Sequence, residues 1–142
     1  MEEMIIPYEL PEIKDHSFFF IDQRIATHIE AKLHKHDAWE LYHVIHGHGN
    51  RIAGDTLQPF SAGDIVLIPP SMHHYWQYAP TSADNDGCIH YLMVAFSHSL
   101  ITRCIEVFPE LRNRLTSLTF PVNALKYGLE SSRVIRKILA QM

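Results

Sequence analysis

The chain has 142 residues, 46% of them hydrophobic, which is enough for one domain with a substantial core and too few for two ordinary ones. Its 12 Lys and Arg stand against 16 Asp and Glu, a formal charge of -4, and no basic run occurs, so nothing in the composition suits direct contact with nucleic acid. Cys88 and Cys104 make no disulfide framework, and the sequence shows neither a signal-peptide pattern nor an apolar run of about 18 residues, which fits a reducing cytoplasm and no membrane partner.

Residues 1–17 mix prolines with acidic side chains, show no period, and read as an arm. The stretch FFFIDQRIATHIEAKLH follows, in which aromatic and β-branched residues dominate, and it predicts one or two strands. A strand-like run from Trp39 to Ile45 closes on HGHGN, a glycine-containing turn into RIAGDTLQPF, a spacing that suggests a meander. SAGD and PP bracket IVLI, and NDG precedes CIHYLMVAF, so short strands are punctuated by turn residues about every ten positions. That cadence belongs to an all-β sandwich or barrel. After Phe96 the pattern becomes helical: Ser97 is a candidate N-cap, Leu100, Cys104 and Val107 make one apolar stripe, and Pro109 interrupts it. A last amphipathic helix gathers Val134, Ile135, Ile138, Leu139 and Met142 on one face. No stop signal follows it, which predicts a chain cut short of a further part.

Eleven histidines are spread through the sequence, several of them in HKHDAWELYHVIHG (34–47) and GDIVLIPPSMHHYW (63–76). Side chains on a strand alternate faces, so His34, His36 and Glu40 point inward together with Tyr42, Val44 and, at the end of the run, His46. On the second strand His74, Trp76 and Tyr78 share one face, while His73 and Tyr75 take the other. His34, His36, Glu40 and His74 are donors that Zn, Fe, Mn or Ni accept, and four such ligands leave positions for water or substrate. The same four residues could instead line a polar pocket without metal. Tyr42, Trp76 and Tyr78 are either ordinary core aromatics or flat, polar-tipped rings facing a bound sugar.

His34-x-His36-x3-Glu40-x6-Gly47 resembles the first cupin motif, and Gly63-x5-Pro69-x-Ser71-x2-His74 resembles the second, with Ser71 where many cupins have Gly. The motif's leading glycine is replaced by His28 and its trailing asparagine by Tyr78, neither at a ligand position. The whole run from His34 to Trp76 is similar to the N-terminal sensor domain of AraC-type transcriptional regulators, closely over residues 18–96 and loosely through FSHSLI and FPELRNRL. The resemblance implies a mainly β fold: a cupin double-stranded β-helix, or jelly-roll barrel, over 18–96, with a helical extension over 97–142. It also implies that the barrel binds a small metabolite such as a sugar, at His34, His36, Glu40, Tyr42, His46, His74, Trp76 and Tyr78. A homodimer follows from the same likeness, as does DNA contact only through a missing half carrying helix-turn-helix units. The competing expectation is a free-standing metal-dependent cupin enzyme, a dioxygenase or sugar isomerase, with the metal on His34, His36, Glu40 and His74. No additional acid or base whose role that chemistry would dictate stands out in the sequence.

Overall fold

The computed structural model describes residues 18–26, 37–115 and 124–142. The expected arm therefore lies outside the described residues, as do His28, His34 and His36. Among the described residues eight strands form two antiparallel sheets: β1 (Phe18–Ala26), β2 (Trp39–His46), β3 (Gly49–Ala53), β4 (Thr56–Phe60), β5 (Ile65–Ile68), β6 (His74–Tyr78), β7 (Cys88–Phe96) and β8 (Leu125–Lys126). One sheet runs β1-β7-β2-β5-β8 and the other β4-β3-β6. The described helices that follow the last long strand are α1 (His98–Val107), α2 (Arg112–Leu115) and α3 (Leu129–Ala140).

The expected meander is not what forms. β2 and β3 do not pair; from β2 the chain crosses to the three-stranded sheet for the β3–β4 hairpin, returns for β5, crosses again for β6 and returns for β7. Each crossing lets the two sheets close over one interior, as a jelly roll requires. The fold is the mainly β cupin barrel with C-terminal helices that the resemblance implied.

Two cores result. Inside the barrel, Tyr42, Val44, Phe60, Val66, Ile68, Trp76, Tyr78, Ile89, Tyr91 and Met93 pack together. On the outer face of the five-stranded sheet Trp39, Leu67 and Ile101 form a second cluster, joined by Leu41, Phe96, Ile105 and Tyr127. This explains why IVLI is apolar throughout: all four residues of β5 are buried, Val66 and Ile68 inward and Leu67 under the helices. The helical side differs in detail from the sequence expectation. Ile101 and Ile105, one turn apart, face the barrel, whereas Val107 is exposed. The stripe of α3 likewise divides: Leu139 is buried, while Val134, Ile138 and Met142 stay in solvent. Ser97 does occupy the N-cap of α1, yet its hydroxyl bonds Ser99 Oγ at 2.8 Å rather than a backbone N–H of the helix.

Candidate functional site

Alternation along β2 and β6 aims five of the candidate residues into the barrel. Glu40 and Tyr42 come from β2 in the larger sheet, and His74, Trp76 and Tyr78 from β6 in the smaller one, so the two sheets bring them face to face. Glu40 and His74 are each only 2% exposed, and Glu40 Oε2 lies 2.8 Å from His74 Nε2. The other ring nitrogen, Nδ1, is 2.9 Å from the Met72 carbonyl. Burial pushes the His74 imidazole down, but the hydrogen bond and charge of Glu40, with the Met72 carbonyl, outweigh it and leave the pKa above 6.5. Glu40 Oε2 and His74 Nε2 thus form a close, buried pair.

Beside this pair lies a stack of rings. Tyr42 is sandwiched between Trp76, 4.1 Å away between centroids, and Tyr91 at 4.7 Å. Phe60 meets Trp76 and Tyr78 edge-on. The Tyr42 and Tyr78 hydroxyls are 2.9 Å apart, either able to donate, and burial, followed by the two neighbouring tyrosines, holds the Tyr42 phenol well above 10.0, so it stays neutral. Arg51 of β3 caps the stack: its guanidinium carbon is 5.3 Å from the Trp76 centroid and Nη2 donates to Gln58 Oε1 at 2.9 Å. Burial lowers its pKa against the opposing pull of Asp64.

His46 is a correction. The ladder between β2 and β7 carries a β-bulge between Val44 and His46, which shifts the alternation by one residue and turns His46 outward into solvent beside His90. His43 is buried on the other face of the sheet from Glu40 and Tyr42. Arg51, Phe60 and Tyr91 are interior residues that the sequence reading passed over. Period-two alternation through CIHYLMVAF finds Tyr91, on the face of Ile89 and Met93, whereas in RIA it offers Ile52 as readily as Arg51.

The metal expectation needs His34 and His36, which lie outside the described residues. Among the described residues no three His, Cys, Asp or Glu side chains converge. Glu40 and His74 are the part of the set that is described, and they face one another. A separate cleft of about 450 Å³ opens outside the barrel, between the Ser61–Asp64 turn and α3, lined by Asp64, Lys126, Ser132 and Arg136 among others. No described helix is long and apolar enough to cross a membrane.

ToxT from Vibrio cholerae superposes with a TM-score of 0.57 at 10% identity, over 87% of this chain and 47% of that one. ToxT bound to (E)-4-(8-methylnaphthalen-1-yl)but-3-enoic acid gives 0.52 at 11%, over 88% and 48%. A cupin 2 conserved barrel domain protein from Salinispora arenicola gives 0.46 at 20%, over 69% and 79%. The chain thus spans about half the length of ToxT. No curated protein matches it. Residues 15–142 match the model of the AraC-like ligand binding domain, and the chain belongs to that family.

Proposed function

We propose that this chain is the effector-sensing domain of a bacterial AraC-type transcriptional regulator. The barrel binds a small metabolite, a sugar or sugar derivative, and the helices after residue 97 pass its presence to a DNA-binding half outside this chain. The observation that carries the reading is the Tyr91–Tyr42–Trp76 stack, which presents flat, polar-tipped rings beside the Glu40–His74 pair inside a barrel of the AraC-like ligand-binding family. A small molecule bound to ToxT, a structural neighbour, supports a small-molecule effector here. The cleft between the Ser61–Asp64 turn and α3, with Lys126 Nζ 3.6 Å from Asp64 Oδ2, supports this coupling by setting a helix beside a barrel turn. Self-association through the exposed face of α3 belongs to the same proposal.

Thermal melting in the presence of a panel of sugars tests it: at least one should raise the melting temperature in a concentration-dependent way, as a ligand of the native state must. Trp76→Phe should diminish that rise, and a panel without any stabilising member would count against the reading.

Glu40 and His74 meeting inside the barrel favour one further reading, a divalent transition metal held by them together with His34 and His36. When bound, it would supply Lewis-acid chemistry or a structural anchor, and the cupin-enzyme alternative depends on it. Elemental analysis of purified protein should then show metal that His74→Ala loses; metal-free wild-type protein removes this reading and leaves the sensor.

A further inference from the structure

Arg51 is a cation placed where cations are costly. It is 3% exposed and points inward from the middle strand of the smaller sheet. Its one hydrogen bond among the described residues is to the neutral amide of Gln58, and its Nη1 has no partner there. No described carboxylate lies within ion-pair distance of it. The indole Nε1 of Trp76, 7% exposed on the neighbouring strand, is also a donor without a partner. Two buried donors, one of them charged, thus stand together on the wall of the barrel, with the guanidinium over the indole. A buried donor left unsatisfied costs about 1–3 kcal/mol, and more when charged. Neither hydroxyls nor rings supply the missing negative charge.

We propose that the effector is an organic carboxylate, its acid group seated on Arg51 Nη1 and the Trp76 Nε1–H and its body lying along the aromatic stack. This rests on the barrel being the effector site and narrows what that site takes. The chemistry fits in three respects. A guanidinium binds carboxylates in a directional, charge-assisted way that it cannot reproduce with a neutral hydroxyl. The indole donor supplies a further N–H close by, so one carboxylate with two acceptor oxygens serves both groups. The buried Glu40 is engaged by His74 at 2.8 Å and so is turned to a partner other than the acid. A neutral sugar would leave the guanidinium without a counter-charge. A sugar acid or an aromatic or aliphatic acid would satisfy it.

Isothermal titration calorimetry with matched pairs tests this: glucuronate against glucose, benzoate against benzyl alcohol, and hexanoate against hexanol, each with wild-type protein and with Arg51→Met. At least one acid should bind about tenfold or more tightly than its neutral partner, since a charge-assisted hydrogen bond contributes about that factor. Arg51→Met should remove the preference, so that the acid and its neutral partner bind within about twofold of each other. The ligand-free Arg51→Met protein should melt no lower than wild type, because an unpaired buried charge has been replaced by an apolar chain of similar length. If no acid outbinds its partner, or Arg51→Met keeps the acid affinity, the inference is overturned, while saturable binding of the neutral members would leave the barrel as effector site. A fall in melting temperature of several degrees would make Arg51 a structural cation, which also overturns it.

Discussion

His43 shows how one buried side chain sets a pH response. Burial, then the positive charge of Arg136 and the nearby His90, hold its imidazole below 6.5, and Nδ1 has no partner among the described residues. The unfolded chain takes up this proton at about pH 6.5 and the folded protein only at lower pH, so below 6.5 the unfolded state binds more protons and stability falls with acidification. His43→Gln removes this one contribution. The melting temperature of the variant relative to wild type should rise steadily on going from about pH 7 to about pH 5, and a difference that stays flat would show that His43 is not held neutral. Ser71, an exposed residue, instead holds backbone strain. It stands where many cupins have glycine and adopts φ 64, the left-handed region. A non-glycine residue there costs about 1–2 kcal/mol, part of which a glycine returns through its freer unfolded chain. Ser71→Gly should therefore raise the unfolding free energy by roughly 0.5–1 kcal/mol in urea titrations; a destabilised variant would mean that the hydroxyl matters more than the backbone.

The hairpin crossing from one sheet to the other depends on a close approach of two strands. A methyl group on Gly49 would lie 1.8 Å from the Gln77 carbonyl oxygen, and one on Gly47, at φ +121, would meet the Tyr78 ring at 2.7 Å. These contacts fix β3 against β6 and hold the wall that carries Arg51 and Trp76. Gly49→Ala should cost about 3 kcal/mol or more, because backbone rather than a flexible side chain must yield. Gly87→Ala, where φ is +75 but nothing lies within 4 Å, should cost only about 1–2 kcal/mol. Equal losses in the two variants would contradict the close approach. The elements also show what alternation could and could not reveal. It placed Glu40, Tyr42, His74, Trp76 and Tyr78 on inner faces because each lies in an unbroken ladder. It failed at His46 because a bulge leaves no mark in the residue types around it. In α1, hydrophobicity alone could not choose between Leu100–Cys104–Val107 and Ile101–Ile105; the position of Trp39 and Leu67 beneath the helix decided it. The turns read from NDG and SAGD were legible because Gly and Asp carry their own local chemistry: Asp84 accepts from the N–H groups of Asp86 and Cys88, and Asp64 from that of Ser61.

For the molecule as a whole, the fold was legible from two spaced motifs, whereas the interior was legible only in part. Arg51 went unnoticed because a lone arginine in a short strand is normally solvated, and only the closure of the second sheet over it makes it an interior charge. The outer surface gives a prediction of assembly. Leu129, Val134, Ile138 and Met142 are all more than half exposed along or beside α3, a patch that a second copy would cover across a two-fold axis. Sedimentation should show a weak, concentration-dependent dimer that Val134→Glu with Ile138→Glu abolishes; a monomer at every concentration would contradict it. The most direct test of the barrel as effector site uses its two tryptophans. Trp76 lies inside, and Trp39 lies outside under α1, its Nε1 donating to His98 Nδ1 at 3.3 Å, so their indole N–H resonances report on the two faces of the fold. With Trp76→Phe as the assignment, a ¹⁵N-labelled chain titrated with sugars, sugar acids and small organic acids should show saturable movement of the Trp76 resonance while that of Trp39 stays nearly still. A Trp76 resonance that no compound moves, or one that moves only together with Trp39, would contradict an effector site in the barrel.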